Sequence, residues 1–302
     1  MHKAFAPPGE ITMAGPLVIR PEFEISDLRK AEIGEVARPL SVFERVSNIN
    51  AVRKFTILLS LVVVWELYTV ISKVEPLMFP TFSLTMTALV DALLNGSLLA
   101  KIWISIEVLV IGYAVGVGLA AVLTMFAVLT RIGSDFLSTI TSMFNPLPAI
   151  AILPLAMLWF GLGTMSLVFV LVHSVLWAVA LNTHTGFMSV SETQRMVGRN
   201  YGLKGIRYVC KILVPAAFPS ILTGMKIGWA FAWRTLIAAE LVFGATSGSG
   251  GLGWFIYENK NDLRTPYVFA GLFAVILVGL LVENGIFRNV EVRTISKWGM
   301  QK

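Results

Sequence analysis

Two charged side chains break an otherwise apolar run, Arg234 and Glu240 in Gly228-Trp-Ala-Phe-Ala-Trp-Arg-Thr-Leu-Ile-Ala-Ala-Glu240. If that run crosses a bilayer, an arginine near its middle costs at least about 2.5–3.5 kcal/mol unless it is paired or hydrated. Arg234 is therefore expected to face an aqueous path, a partner carboxylate or the interior of an assembly. The chemistry it offers is a fixed cation for an anionic solute; the alternative is a structural anchor. Six helical residues set Arg234 and Glu240 about 240° apart, so they do not pair on one face. Lys226, eight residues earlier, is only about 80° from Arg234, which allows a shared hydrated stripe. His173 and Trp177, four apart, share a helical face, as a gate or as a hydrogen-bonded packing histidine. Pro146, Pro148 and Pro154 each remove a backbone donor and kink or interrupt a helix, so their segment is expected to line a cavity or pack centrally.

Other chemistry is excluded. Cys210 is the single cysteine, and His2, His173 and His184 are scattered, so neither a disulfide nor a metal cluster is expected. Acidic residues and histidines in the apolar runs are too few and too dispersed for a membrane-embedded enzyme. Gly248-Ser-Gly-Gly-Leu-Gly253 satisfies G-x-G-x-x-G, but it follows an apolar span instead of a strand and reads as a flexible outer loop. No G-x-x-x-x-G-K-[ST] run occurs, so energy for active transport must come from another subunit.

The elements that hold these residues must be membrane helices. The chain is 56% hydrophobic and 14% charged, against about 25% charged residues in a soluble domain. Runs of roughly 20 apolar residues cross a bilayer. Six are expected, near Phe55–Ile71, Ile102–Leu129, Leu137–Phe160, Met165–Phe187, Ala216–Phe243 and Tyr267–Phe287. With both termini cytoplasmic, eighteen Lys/Arg fall inside and four outside, the bias that orients membrane proteins. The net charge of +6 is thus loop charge, with no pattern for nucleic acid. Residues 1–54 are expected to form a cytoplasmic extension, helical in part near Glu22–Val46 and without the features of a secretory signal. Residues 55–290 form the membrane domain and 291–302 a cytoplasmic tail. Between Thr85 and Leu99, Met86, Leu89, Val90, Leu93 and Leu94 recur at helical spacing on a segment expected to lie at the outer surface. Gly112-x3-Gly116 and Gly224-x3-Gly228 permit close helix approach.

The inner segment Gln194–Pro219 reads as a short helix, a break at Gly202, a second helix and a stop at Pro215. Ile206, Val209, Cys210, Ile212 and Leu213 recur at helical spacing, with Lys204, Arg207 and Lys211 on another face. Such an elbow suits a groove on a partner protein; an interfacial helix on anionic lipid is the alternative.

This segment resembles the cytoplasmic "EAA" loop of binding-protein-dependent ABC importer permeases, whose glycine and two prolines are spaced as Gly202, Pro215 and Pro219 are here. The match departs at its first position, where Met196 stands in place of glutamate. Phe144–Gly163 resembles the third span, and Gly228–Glu240 the fifth, of the taurine, nitrate and sulfonate permeases. Phe79-Pro-Thr and Asn182-Thr-His-Thr-Gly186 also fit that branch. The resemblance covers about residues 55–290. It implies an all-α membrane protein of the type I ABC importer permease fold in a bacterial inner membrane. It implies a coupling loop at about 190–215 in which Met196, Arg199, Tyr201, Gly202, Leu203, Lys204 and Pro215 meet an ATPase. Pro148, Pro154, His173, Asn182, Arg234 and Glu240 are the path candidates. The resemblance further implies a second permease copy, two ATP-binding subunits that hold ATP and Mg, and a periplasmic binding protein, with no cofactor on this chain. The solute class would be a small anion such as a sulfonate, taurine, nitrate or bicarbonate. An ion-gradient-driven secondary transporter is the alternative function.

Overall fold

The computed structural model describes residues 49–243 and 250–297. The sequence readings for residues 1–48, for much of the Gly248 loop and for the last residues of the tail lie outside them. The chain divides into two units, Met1–Leu61 and Val62–Lys302. Of the first, the described part is the start of helix α1 (Asn50–Ile71), whose side chains are largely exposed.

The second unit is helical, with no strand among the described residues. After α1 come α2 (Phe82–Leu94), α3 (Ser97–Leu129) and α4 (Arg131–Phe144). A 3₁₀ turn, Ala149–Ile152, leads into α5 (Leu153–Phe160), which is followed by α6 (Thr164–Met188) and α7 (Glu192–Asn200). Next are α8 (Gly205–Ala216), α9 (Phe218–Phe243), α10 (Leu252–Asn261) and α11 (Thr265–Ser296). By length and composition α1, α3, α6 and α11 can each cross a membrane, and two bent pairs bring the number to six.

Four of the six expected spans are thus present as single helices and the other two fall on bent pairs, with two corrections of shape. The run near Leu137–Phe160 is not one helix: α4 and the Ala149–Phe160 segment meet at 86°. Pro146 and Pro148 stand in the break, where the missing donors end α4, while Pro154 sits in the first turn of α5, where a proline donor is not needed. The Gly205–Ala216 segment and α9 likewise meet at 79°, so α8 runs one residue past Pro215 before the chain turns.

The core is α6 held between α3 and α9. Both small-x3-small patterns face α6: a Cβ at Gly112 would lie 2.6 Å from that of Leu171, and one at Gly224 would lie 2.7 Å from that of Asn182. In lipid, where apolar side chains gain little from leaving the solvent, such close backbone approach supplies the van der Waals contact that holds helices together. Leu109, Leu171, Val175 and Leu236 fill the interior, and large apolar side chains such as Leu119, Val122, Leu280 and Leu281 face outward. Helix α2 buries Thr85, Ala88, Leu89 and Ala92, whereas Val90 and Leu94, expected on its apolar face, are exposed. The Glu66 carboxylate receives the Ser83 hydroxyl (2.7 Å) and amide (3.2 Å) at the start of α2, and Trp65 stacks on Phe79 and Phe273.

Candidate functional site

The elbow is built by the backbone. Ser191 caps α7, its hydroxyl accepting the Gln194 amide at 3.4 Å. The helix ends where Gly202 takes φ +70°; its N–H donates to Arg199 O (2.9 Å) and that of Leu203 to Gly198 O (3.0 Å). This paired closure needs a left-handed residue, which glycine adopts without strain. Helix α8 then folds back on α7, and Tyr208 and Ile212 pack so close to Gly198 that a Cβ there would meet both at 2.9 Å.

The apolar positions of α8 divide between packing and exposure. Val209 and Leu213 are buried, but Ile206 and Cys210 are exposed. A π-helical turn runs over Val209–Leu213. The tip is apolar and outward: Tyr201 is 81% exposed, Ile206 62% and Met196 49%. Arg199 pairs with Glu192 at 3.5 Å, and Lys204 and Pro215 are exposed.

The elbow is fastened at its base. The Arg195 guanidinium donates to the Phe187 (2.5 Å) and Val190 (3.1 Å) carbonyls at the end of α6. Phe187, Val190, Val209, Leu213 and Ala217 form one apolar cluster, and Gly186 of α6 lies against Ser220 of α9. The elbow is thus the covalent and packed link between α6 and α9.

Those two helices wall a concavity of about 340 Å³ whose third side is the broken segment Asn145–Ile150. Helix α6 contributes His173, Ser174 and Trp177; α9 contributes Phe231, Arg234, Thr235 and Ala238, at the i, i+3, i+4, i+7 spacing of one face. The Ser174 and Thr235 hydroxyls are 2.9 Å apart and tie the walls together. Trp177 stacks on Phe144 at 5.6 Å, and His173 meets both rings edge-on. The Arg234 guanidinium lies 5.2 Å from the Phe231 ring centroid, and its Nε donates to Ala230 O. A second concavity of about 260 Å³ continues past Asn145 and Pro146 to Ser138, Ser142 and His184. No aspartate or glutamate lines either one.

Of the path candidates, Pro148, His173 and Arg234 come together here. Pro154, Asn182 and Glu240 do not line either concavity. Asn182 donates to Ala178 O and packs on Gly224. The buried Glu240 carboxylate accepts from the Ser105 hydroxyl (2.8 and 2.9 Å) and the Gly253 amide (2.7 Å). Leu252 N–H donates to the same hydroxyl, so Glu240 and Ser105 close the N-terminus of α10. Gly251 and Gly253 of the G-x-G-x-x-G run lie directly on Glu240, which makes that end of the loop a packed helix cap. Lys226 shares no stripe with Arg234; its ammonium pairs with Glu291 of α11. Ser105, Ser174, Thr235 and the Asn145 turn carried no sequence signal of their own beyond Asn-Pro-Leu-Pro, which announces a break without its direction.

A broken span, an elbow with an exposed apolar tip and a concavity between the helices it joins fit a membrane transport permease. A family model for binding-protein-dependent transport system inner membrane components matches residues 112–294. The chain belongs to that family and is an integral inner-membrane protein. It is 28% identical over 251 residues to a Methanocaldococcus jannaschii chain named as an ABC transporter permease, covering 82% of this chain and 92% of that one. It is 27% identical to a Bacillus subtilis chain named as an aliphatic sulfonates transport permease, covering 79% and 84%. It is 30% identical to a Synechocystis chain named as a nitrate import permease, covering 59% and 60%.

Proposed function

We propose that this chain forms the translocation path of an ATP-driven importer for a small anion of the sulfonate, taurine, nitrate or bicarbonate class. Two copies pair, two separate ATP-binding subunits hold ATP and Mg on the inner face, and a periplasmic binding protein delivers the solute. The charge bias of the loops supports both termini, and the elbow, on the inner side. The observation that carries the reading is the connection of the elbow to both walls of the concavity, through Arg195 to α6 and through Ala217 to α9. Closure of the ATPases displaces the two elbows, α6 and α9 shift with them, and the path opens to the other side. ATP drives this by binding one of the two states more tightly. The exposed Tyr201, Ile206 and Met196 are the apolar surface that a motor groove would cover. A gradient-driven exchanger would need a titratable carboxylate in the path. Glu240, the acidic candidate, is instead consumed in capping α10.

The test is uptake of a labelled alkanesulfonate and of nitrate into proteoliposomes holding the permease with its ATPase and binding protein. Uptake that needs ATP and survives an ionophore supports the reading; uptake that persists without ATP and collapses with the ion gradient overturns it.

A further inference from the structure

Among the described residues, the concavity holds a cation without a counter-ion and buried donors without acceptors. The Arg234 guanidinium has no carboxylate within ion-pair distance among the described residues. Both imidazole nitrogens of His173 and the indole nitrogen of Trp177 are buried without a hydrogen-bond partner. A neutral imidazole keeps one N–H and the indole another, so at least two neutral donors accompany the cation. Buried donors without acceptors are a net cost to folding, and their place on α6 in the same concavity as Arg234 of α9 marks a site that a guest completes. The third side differs: Pro146, Leu147 and Ile150 of the broken segment present hydrocarbon. A bare inorganic anion would satisfy the donors and leave the hydrocarbon of the third side uncovered.

Resting on the reading of this chain as an anion permease, we propose that it carries its own solute site here, selective for an organic oxyanion. The head, a sulfonate or carboxylate, takes the Arg234 charge and the N–H groups of His173 and Trp177. The tail lies on Leu147 and Ile150. Charge-assisted bonds fix the head, and the apolar wall selects for a tail. The permease thus screens what the binding protein delivers, favouring alkanesulfonates over nitrate.

The experiment titrates the purified full-length permease, in lipid nanodiscs without companion proteins, with methanesulfonate, butanesulfonate, hexanesulfonate and nitrate. Heat is recorded against empty discs. Affinity is expected to rise with tail length, by up to about fourfold per added methylene, with nitrate weakest. Arg234→Gln should weaken hexanesulfonate at least tenfold and His173→Phe severalfold, whereas Lys260→Gln, on the exposed face of α10, should not change it. If Arg234→Gln fails to insert, Arg234→Lys with Thr235→Val carries the same test, and each is expected to weaken binding. No heat above empty discs, nitrate bound as tightly as hexanesulfonate, or an Arg234→Gln chain that binds like the parent overturns the site. Those outcomes leave the importer reading standing, because no ATPase takes part. Intact probe binding with uptake that ignores ATP would overturn the importer reading alone.

Discussion

At the elbow, backbone geometry sets the shape and the distinctive side chains stay outside. Gly202 supplies a left-handed turn, Gly198 allows α8 to lie on α7, and Met196, Tyr201 and Ile206 project outward. In the concavity the relation is inverted. Its backbone is ordinary helix apart from the break at Asn145–Pro148, and its character comes from inward side chains on three separate elements. A surface meant to be gripped needs a rigid outline and replaceable contacts. A site meant to hold a solute needs particular groups at particular places. Substitutions should therefore separate the two regions cleanly.

The largest effect is expected at Gly202. Valine at φ +70° carries a left-handed penalty of about 1–2 kcal/mol and displaces the tip. Gly202→Val should reduce co-purification of the ATPase at least tenfold while sulfonate binding to the permease alone is unchanged. Loss of both together would mean that the elbow and the concavity are not separable.

Arg234→Gln sharpens the comparison from the other side. The assembled complex should still form and hydrolyse ATP, but uptake of a labelled sulfonate should fall about tenfold or more, since charge-assisted contacts are about twice as strong as neutral ones. Unchanged uptake would assign Arg234 to anchoring.

Glu240→Ala should act on neither region directly. It leaves the Gly253 amide and the Ser105 hydroxyl without their acceptor, a cost of about 1–3 kcal/mol. The melting temperature should drop, while sulfonate affinity of the folded fraction stays as in the parent. A selective loss of uptake with unchanged melting would return Glu240 to the path. The smallest effect is expected for Ser174→Ala, which removes one hydroxyl pair worth about 0.5–1.5 kcal/mol and should loosen the concavity only slightly in the same titration.

The same contrast explains what could be read before the structure. The elbow occupies one contiguous stretch, and its break is made by residue types with local backbone consequences, so Gly202 and Pro215 were legible. The membrane helices were legible for a related reason: apolar length is a local property, and five of the six expected spans correspond to straight helices or to the long arm of a bent pair. Direction was not legible. Pro146 and Pro148 announce an interruption, but the 86° turn that brings Asn145–Ile150 to α6 and α9 depends on what packs around them. Polar residues in spans were visible as costly, yet their partners lie far away in sequence. Glu240 finds Ser105, Lys226 finds Glu291, and Asn182 packs on Gly224. Only for Arg234 and His173 did the cost signal coincide with the concavity. The exposed Ile206 and Cys210 show a further limit, because apolar spacing alone does not say which positions pack and which stay exposed.

The claim on which the rest depends is that the tip of the elbow touches the motor on the inner side. Cys210 is exposed and is the single cysteine, so a Cys210→Ser background followed by Tyr201→Cys gives one defined thiol at the tip. In the assembled transporter this thiol should crosslink to the ATP-hydrolysing subunit, with a yield that changes when nucleotide is added. Labelling of position 201 by a membrane-impermeant thiol reagent applied outside intact cells, with no crosslink to the ATPase, would contradict the account.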